Sequence, residues 1–247
     1  MEPHQSMSGT LYGIGLGPGD PELMTLKAHR LISNARVVAY PAPDSGESFA
    51  RSIAAGALPP GVREIPIVVP MRTDRFPAQE IYDGAARQIA AVLDTGQDVV
   101  TLCEGDPFFY GSFMYLFERL SGRFPVEVVP GVTSLTACAA QLRRPLTARN
   151  DVMTVIPGPL PNAEIRTRIE QAQAVVIMKV GRHLPRLKML LTEMDLIDKA
   201  GYVERASLPE QKVRRLIDLD TQTAPYFSMI LIYKGEEAWT LPPSCSS

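Results

Sequence analysis

Short apolar runs rich in β-branched residues alternate along this chain with longer stretches whose apolar positions recur every three or four residues. The first pattern predicts buried strands, and the second predicts helices with one apolar face. Predicted strands fall at residues 10–16, 36–40, 97–102, 126–129, 152–156, 174–178, 200–204 and 227–233. Predicted helices fall at residues 23–34, 49–55, 78–94, 113–120, 135–142, 163–172 and 184–193. This alternation indicates a protein of the α/β class.

A short polar break at residues 121–125 separates two such α/β patterns. We therefore predict an N-terminal α/β domain over residues 1–122 and a C-terminal α/β domain over residues 123–247, with the strand at 126–129 opening the second. The chain has 247 residues, which is enough for each domain to have its own core. Prolines within residues 65–70 cannot donate the hydrogen bonds of a sheet ladder, so this segment is restricted to a sheet edge.

The composition is that of an ordinary globular protein, with 45% apolar residues and a formal net charge of −2. This balance gives no electrostatic reason to expect a nucleic acid as partner. The three cysteines, Cys103, Cys138 and Cys245, lack the spacing of a metal site and do not pair off, which fits a reducing cytoplasm. No apolar run reaches the length of a membrane span, so we expect no membrane association.

The segment 103–112 lies where the strand at 97–102 ends and the chain turns towards a helix. In open α/β sheets, ligands bind in the crevice outside such strand ends. Gly105 allows a ligand to approach the backbone, and Pro107 stiffens the turn. A turn with no further role would explain Gly-Asp-Pro alone, but Glu104 and the aromatic run after it favour a pocket.

Glycines at 13, 15, 17 and 19 suggest a dinucleotide-binding fingerprint, but their spacing excludes it. The motif G-x-G-x-x-G would need glycine where Pro18 or Asp20 stands, and the second strand ends in Tyr40 instead of the acid that holds a ribose. We interpret the segment as a rigid Gly-Pro-Gly turn beside a pocket, with Asp20 and Thr25 available to start the following helix.

Residues 130–136 repeat the same strand-to-helix pattern with a glycine turn and hydroxyl side chains. The N–H groups at the start of the helix, together with Thr133 and Ser134, suit a carboxylate or another polar ligand. Simple N-capping by either hydroxyl explains these residues equally well. Arg143, Arg144 and Arg149 follow this helix, and Arg182 and His183 follow the strand that ends at Met178.

Five segments, in order over about residues 10–233, resemble the tetrapyrrole methylases, the class III S-adenosylmethionine-dependent methyltransferases. The segment 12–26 is similar to their opening motif, 104–112 to their second motif and 129–134 to their third. Residues 176–180 and 202–207 fit two weaker downstream blocks. Within the family, the runs Glu-Gly-Asp-Pro-Phe-Phe-Tyr-Gly-Ser and Phe-Pro-Val-Glu-Val-Val-Pro-Gly most resemble the methylases that act on carbon 20 of precorrin-2 in cobalamin biosynthesis.

The resemblance implies two α/β domains with a cleft between them that holds S-adenosyl-L-methionine, and a cytoplasmic homodimer. It implies that the cofactor contacts Pro18, Glu104, Gly105, Asp106, Phe109, Tyr110, Thr133, Ser134, Met178, Val203, Glu204 and Ala206. Glu104 and Ala206 stand where the sister enzymes that methylate uroporphyrinogen have glycine, which argues against that sister activity.

The substrate implied by the resemblance, precorrin-2, is a ring with many carboxylates, so we expect Arg143, Arg144 and Arg182 to bind it. Methyl transfer from a sulfonium to an electron-rich carbon needs mainly placement and exclusion of water, and the residues identify no catalytic base or metal site. Three interpretations stay open: methylation of carbon 20 with or without cobalt in the ring, another methylase of the same fold, and a tetrapyrrole carrier that transfers no methyl group.

Overall fold

The computed structural model describes residues 8–69, 78–239 and 241. The chain contains two five-stranded sheets with helices between their strands, which confirms the predicted α/β class. It divides into two compact units, one ending at Thr133 and the other beginning at Ser134. Within the described residues, no helix is both long enough and apolar enough to cross a membrane.

The first unit alternates strands and helices throughout. In chain order they are β1 (Leu11–Gly15), α1 (Leu26–Ser33), β2 (Val37–Ala42), α2 (Phe49–Ala54), β3 (Arg63–Val68), α3 (Ala78–Leu93), β4 (Val99–Cys103), α4 (Phe113–Leu120) and β5 (Val126–Val129). The strands form one parallel sheet in the order β3-β2-β4-β1-β5. The proline-bearing strand β3 lies at the edge, as predicted.

Two apolar clusters cover the two faces of this sheet. Side chains of α1 and α2 pack with Ile14, Val38 and Leu102 on one face, whereas those of α3 and α4 pack with Leu11 and Val99 on the other. Parallel strands buried on both faces explain the nearly continuous apolar runs in the sequence. Because all five strands run in one direction, the loops that follow them meet at one edge of the sheet.

The strand β5 belongs to the first sheet, although the sequence analysis made it the opening of the second domain. It pairs in parallel with β1, with Leu11 opposite Val126. The polar break before it is an ordinary helix-to-strand turn, in which Arg123 pairs with Asp94 at 2.6 Å. The boundary between the two units therefore falls after this strand, between Thr133 and Ser134.

The second unit has a mixed sheet. Its elements are α5 (Ser134–Gln141), β6 (Met153–Pro157), α6 (Asn162–Glu170), β7 (Ala174–Met178), α7 (Leu184–Glu193), β8 (Ala200–Glu204), β9 (Lys212–Arg215) and β10 (Ser228–Tyr233), with the sheet order β6-β7-β10-β8-β9. Strand β10 runs antiparallel to both β7 and β8. The ends of β7 and β8 consequently lie at the same edge, on either side of the start of β10.

Strand β9 is absent from the sequence prediction. It contains one apolar residue among three basic ones, so it shows neither alternation nor an apolar run. It nevertheless pairs with β8 at the edge of the sheet, where polar side chains face water.

Candidate active site

Backbone hydrogen bonds join the loops that follow β1 and β4. The N–H of Gly105 donates to the carbonyl of Gly17 at 2.8 Å, and the N–H of Gly17 donates to the carbonyl of Gly105 at 3.2 Å. Just before this pair, the N–H of Leu16 donates to the carbonyl of Cys103 at 2.9 Å. The two predicted cofactor loops of the first unit therefore form one connected structure, with the half-buried Pro18 directly after the joint.

The carboxylate of Asp106 organises the second of these loops. Its Oδ1 accepts hydrogen bonds from the backbone N–H groups of Phe108 at 2.9 Å and Phe109 at 3.1 Å. Its Oδ2 accepts from the N–H of Gly131 at 3.0 Å, in the loop that follows β5. One side chain thus closes its own turn and ties the end of β4 to the end of β5.

Gly105 leaves open space beside the backbone at the centre of these loops. It has φ of 64°, in the left-handed region, and no atom lies within 4 Å of the position that a Cβ would occupy. A ligand can therefore contact the main chain here, at the carboxyl ends of parallel strands where α/β sheets bind their ligands.

Aromatic side chains lie beside the loop that begins at Gly105. Phe108 is 48% exposed and packs edge-on against Phe117 with centroids 5.1 Å apart, whereas Tyr110 is 45% exposed and packs edge-on against Phe109 at 5.1 Å. Tyr110 also has φ of 55°, which a non-glycine residue adopts at a cost and which concentrates at functional sites. The predicted contacts Phe109 and Tyr110 are thus held at one rim of the first sheet.

The two residues predicted to start the first helix cap different elements, Asp20 a short 3-10 turn at Pro21–Leu23 and Thr25 the helix α1. The side chain of Asp20 accepts from the N–H of Glu22 at 2.9 Å, and Thr25 Oγ1 accepts from the N–H of Ala28 at 3.1 Å, at the start of α1. Of the hydroxyl residues in the third motif, Thr133 ends the first unit and Ser134 is the first residue of α5. Both side chains are half-buried.

In the second unit, the structure brings the four remaining predicted cofactor contacts to one edge of the sheet. Met178 at the end of β7 pairs with Met229, which also pairs with Val203 of β8, and Glu204 pairs with Ser228. Met178 is half-buried, whereas Val203 and Ala206 are buried. The side chain of Val203 is fully buried, so its backbone is the part available for a contact with a ligand.

Glu204 is engaged within its own unit. Its side chain is buried, accepts a hydrogen bond from the Tyr202 hydroxyl at 2.6 Å and pairs with Lys212 Nζ at 2.8 Å. Burial by itself would raise the pKa of Glu204, but the bonds from Lys212 and Tyr202 outweigh it and leave the pKa below its ordinary value. Burial and the neighbouring carboxylate raise the pKa of the Tyr202 hydroxyl. The side chain of Glu204 therefore has a structural task besides any contact with a cofactor.

Replacing Lys212 by methionine should destabilise the protein at neutral pH by about 1–3 kcal/mol, because it leaves a buried carboxylate without its cation. The pKa of Glu204 is lower in the folded state, so its stabilising contribution is present above the unfolded value of about 4.3 and is lost as the pH falls through the folded value. Denaturant unfolding from pH 7 to pH 3 measures the difference. The exposed Lys199, changed to methionine, is the control; an equal effect of both changes would contradict this role of the pair.

The structure separates the three arginines predicted to bind substrate. Arg143 and Arg182 are exposed, and Arg143 has φ of 51°. Arg144 is only 6% exposed, and its two terminal nitrogens donate to the carbonyl oxygens of Lys199 and Leu231 at 2.8 Å each. Burial lowers the pKa of this guanidinium to about 10. Arg144 is not available to a substrate carboxylate, so its prediction as a substrate contact is withdrawn.

Replacing Arg144 by alanine is expected to lower the free energy of unfolding by about 3 kcal/mol, because two buried carbonyl groups lose a charged donor. The same change at the adjacent, exposed Arg143 should alter it by less than about 0.5 kcal/mol. Thermal unfolding of the two variants makes the comparison. A stable Arg144→Ala variant with weakened substrate binding would restore the original prediction.

Other basic residues follow β7 near Arg182 in the sequence. Lys179 has φ of 57°. His183 lies three residues before Arg186, whose guanidinium donates to the carbonyls of Leu160 and Gly158. Partial burial and the positive charges of Arg186 and Arg182 lower the pKa of His183. Among the described residues, no group of three His, Cys, Asp or Glu side chains could hold a metal ion.

The sequence analysis identified the turns that contain Gly17 and Gly131 but did not count these two glycines among the site residues. Both take part in the hydrogen bonds that lock the loops of the first unit together. The available signal was their position, because each glycine falls within a short loop between a buried strand and a helix.

The profile of the family "Tetrapyrrole (Corrin/Porphyrin) Methylases" matches residues 10–218, which is most of the chain. The chain belongs to the tetrapyrrole methylases. The matched range includes the three interlocked loops of the first unit and the strand ends β7 and β8 of the second. The residues of the candidate site described above therefore all lie within the range that the family profile covers.

Two relatives and one solved structure, among others, are similar to this methylase. A precorrin-2 C(20)-methyltransferase of Sinorhizobium sp is 39% identical over 91% of this chain and 95% of its own length. The cobalamin biosynthesis protein CobIJ of Mycobacterium tuberculosis is 43% identical over 93% of this chain, which spans 47% of that protein. The uroporphyrin-III C-methyl transferase of Thermus thermophilus, complexed with S-adenyl homocysteine, matches with a TM-score of 0.66 and 28% identity, covering 90% of this chain and 97% of its own.

Proposed function

We propose that this methylase transfers a methyl group from S-adenosyl-L-methionine to carbon 20 of precorrin-2, which gives precorrin-3A in cobalamin biosynthesis. One observation carries the proposal: the similarity to the Sinorhizobium precorrin-2 C(20)-methyltransferase extends over nearly the whole length of both chains. The mycobacterial relative is about twice as long, so its activity as a whole is not transferred to this chain.

S-adenosyl-L-methionine supplies an electrophilic methyl group on a positively charged sulfur. The task of the chain is to hold this group and exclude water, which the joined loops around Gly105 suit because their backbone is fixed from both sides. We propose Pro18, Gly105, Asp106, Phe109, Tyr110 and Thr133 of the first unit as cofactor contacts. For the second unit we propose Ser134, Met178, Val203, Glu204 and Ala206.

Arg143 and Arg182 are the proposed contacts for the carboxylates of the ring. Both are exposed, and arginine binds carboxylates through paired, charge-assisted hydrogen bonds. Lys179 lies near Arg182 in sequence at the end of the same strand, so it belongs to the same basic surface. We also propose a cytoplasmic homodimer, as the family resemblance implies; sedimentation of the purified protein at micromolar concentration tests the dimer.

Incubation with labelled S-adenosyl-L-methionine and precorrin-2, with and without cobalt in the ring, tests the activity. We expect the mass of the ring to increase by one methyl group and one equivalent of S-adenosylhomocysteine to appear. A carrier would bind the ring and leave its mass unchanged. Methylation of another tetrapyrrole in preference to both forms of precorrin-2 would instead favour a different methylase activity.

A further inference from the structure

One acidic side chain at the rim of the first sheet has no task in the account above. Glu104 follows the last residue of β4 and precedes Gly105, and its side chain is partly enclosed. Within the described part of the chain, no lysine, arginine or histidine forms an ion pair with it. An ionised carboxylate in such surroundings is costly unless something compensates it, so packing alone does not explain a glutamate here.

The groups around Glu104 leave its charge uncompensated. Cys103 and Tyr82 both experience its negative charge, and burial keeps both of those side chains neutral at ordinary pH by raising their pKa values. Helix α2 contributes a backbone hydrogen bond from Ala50. The single cation of α2, Arg51, is held by Glu64 through two nitrogens at 2.7 and 2.9 Å.

Burial raises the pKa of Glu104, and the hydrogen bond from Ala50 only partly opposes it. A carboxylate whose pKa is raised is a stronger base than an exposed one, and a base works best when its pKa lies near the working pH. Such perturbed acids in a strand-end crevice are candidates for a functional role.

We propose that Glu104 is the catalytic base that accepts the proton released by the ring when its carbon is methylated. This inference rests on the proposed function and deepens it. The sequence analysis placed Glu104 among the cofactor contacts. It directly precedes Gly105, whose backbone is open where a Cβ would lie, and we assign it a different task at this strand end.

The proton balance of the reaction requires such an acceptor. The ring carbon uses one pair of its π electrons to bond the methyl group, the electron pair of the S–CH₃ bond stays on sulfur, and the ring is left with one positive charge. Loss of the hydrogen on that carbon, as a proton to the Glu104 carboxylate, returns the C–H electron pair to the ring and restores its neutrality. The protonated Glu104 then releases its proton to water.

Other acids of the predicted site are less suited to this task. Both oxygens of Asp106 already accept backbone N–H groups, and Glu204 is paired with Lys212 and bonded by Tyr202. Each of these two carboxylates is occupied by fixed partners, whereas the partner found for Glu104 among the described residues is the Ala50 amide. The geometry therefore singles out Glu104 among the carboxylates that the sequence predicted to be part of the site.

The test compares Glu104→Gln with the matched control Glu118→Gln, which alters an exposed acid of α4. We expect Glu104→Gln to lower kcat by about 100-fold or more, with the KM for precorrin-2 and the calorimetric affinity for S-adenosylhomocysteine within twofold of the parent. The parent's kcat is expected to rise with pH as Glu104 ionises, and this rise should be absent from Glu104→Gln. Glu118→Gln should behave as the parent in all of these measurements.

Two further measurements keep the inference open to refutation. Carboxyl ¹³C NMR of the ligand-free protein should show one glutamate that titrates above the usual range and is missing from Glu104→Gln. If Glu104→Gln does not fold, Glu104→Asp should keep the pH-dependent rise at a reduced kcat. A parent-like kcat, an unchanged pH profile, or a defect confined to KM would overturn the role as base.

Failure of this inference and failure of the proposed function give different results. If the parent protein transfers no methyl group to precorrin-2, the proposed function fails before any variant is tested. If the parent is active and Glu104→Gln matches it, only the role of Glu104 is lost.

Discussion

Replacing Asp106 by alanine is expected to reduce methyl transfer by about 100-fold or more, because two charge-assisted hydrogen bonds of about 1.5 kcal/mol each are enough for that loss. The carboxylate accepts three backbone N–H groups, from Phe108, Phe109 and Gly131. Without it, the turn after β4 opens and the loop after β5 is released. The sequence analysis placed Asp106 among the cofactor contacts, whereas the structure adds a role within the loop itself.

Asp106→Asn is the matched variant for this prediction. Its side-chain oxygen can still accept from Phe108 and Phe109, but its amide group would face the N–H of Gly131, donor against donor. We expect activity between those of the parent and Asp106→Ala, and weaker binding of S-adenosylhomocysteine in the same order by calorimetry. Parent-like affinity in Asp106→Ala would show that the three hydrogen bonds do not hold the cofactor loop.

The second large effect is expected for Gly131→Ala. A Cβ at this position would lie 2.0 Å from the carbonyl oxygen of Gly105, a distance that atoms do not adopt. This oxygen and the nearby Gly15 atoms at 2.9 Å all belong to the backbone, so the loops after β4 and β5 have to separate to admit a single methyl group. We expect cofactor binding to be lost and the free energy of unfolding to fall by about 1–3 kcal/mol, the usual cost of overpacking.

Gly122→Ala is the control for this change, because nothing lies within 4 Å of the Cβ that it would add. Thermal unfolding and calorimetric titration with S-adenosylhomocysteine of both variants give the comparison. Gly122→Ala should keep the parent's affinity and melting temperature. Equal behaviour of the two variants would mean that the loops yield easily and that their close approach does not matter for binding.

Most of the strands could be predicted because each buried strand is a short apolar run that its local sequence reveals. The runs at 97–102 and 174–178 are short, apolar and bounded by turn residues, and they became β4 and β7. Two features of the fold could not be predicted from the sequence, for physical reasons. Strand β9 is a polar edge strand held by pairing alone, and the membership of β5 depends on long-range pairing with β1 that local sequence does not reveal.

The residues of the candidate site could be predicted where a motif fixes the backbone geometry. They could not be predicted where burial determines which side chain is available to a ligand. Gly105 and Asp106 were identified from their place after a strand, and they lie at the joint between two loops. Arg143 and Arg144 look alike in the sequence, yet one is exposed and the other is enclosed by carbonyl groups. Which of two adjacent side chains faces the interior after a helix end depends on packing that no local pattern records.

The most direct test of the proposed activity is the position of the transferred methyl group. Precorrin-2 is incubated with the protein and S-adenosyl-L-methionine carrying ¹³C in its methyl group, and the product is examined by ¹³C NMR. We predict one new enriched methyl signal, coupled to carbon 20 of the ring. An enriched methyl group on any other ring carbon, or no transfer to precorrin-2 with or without cobalt, would contradict the assignment.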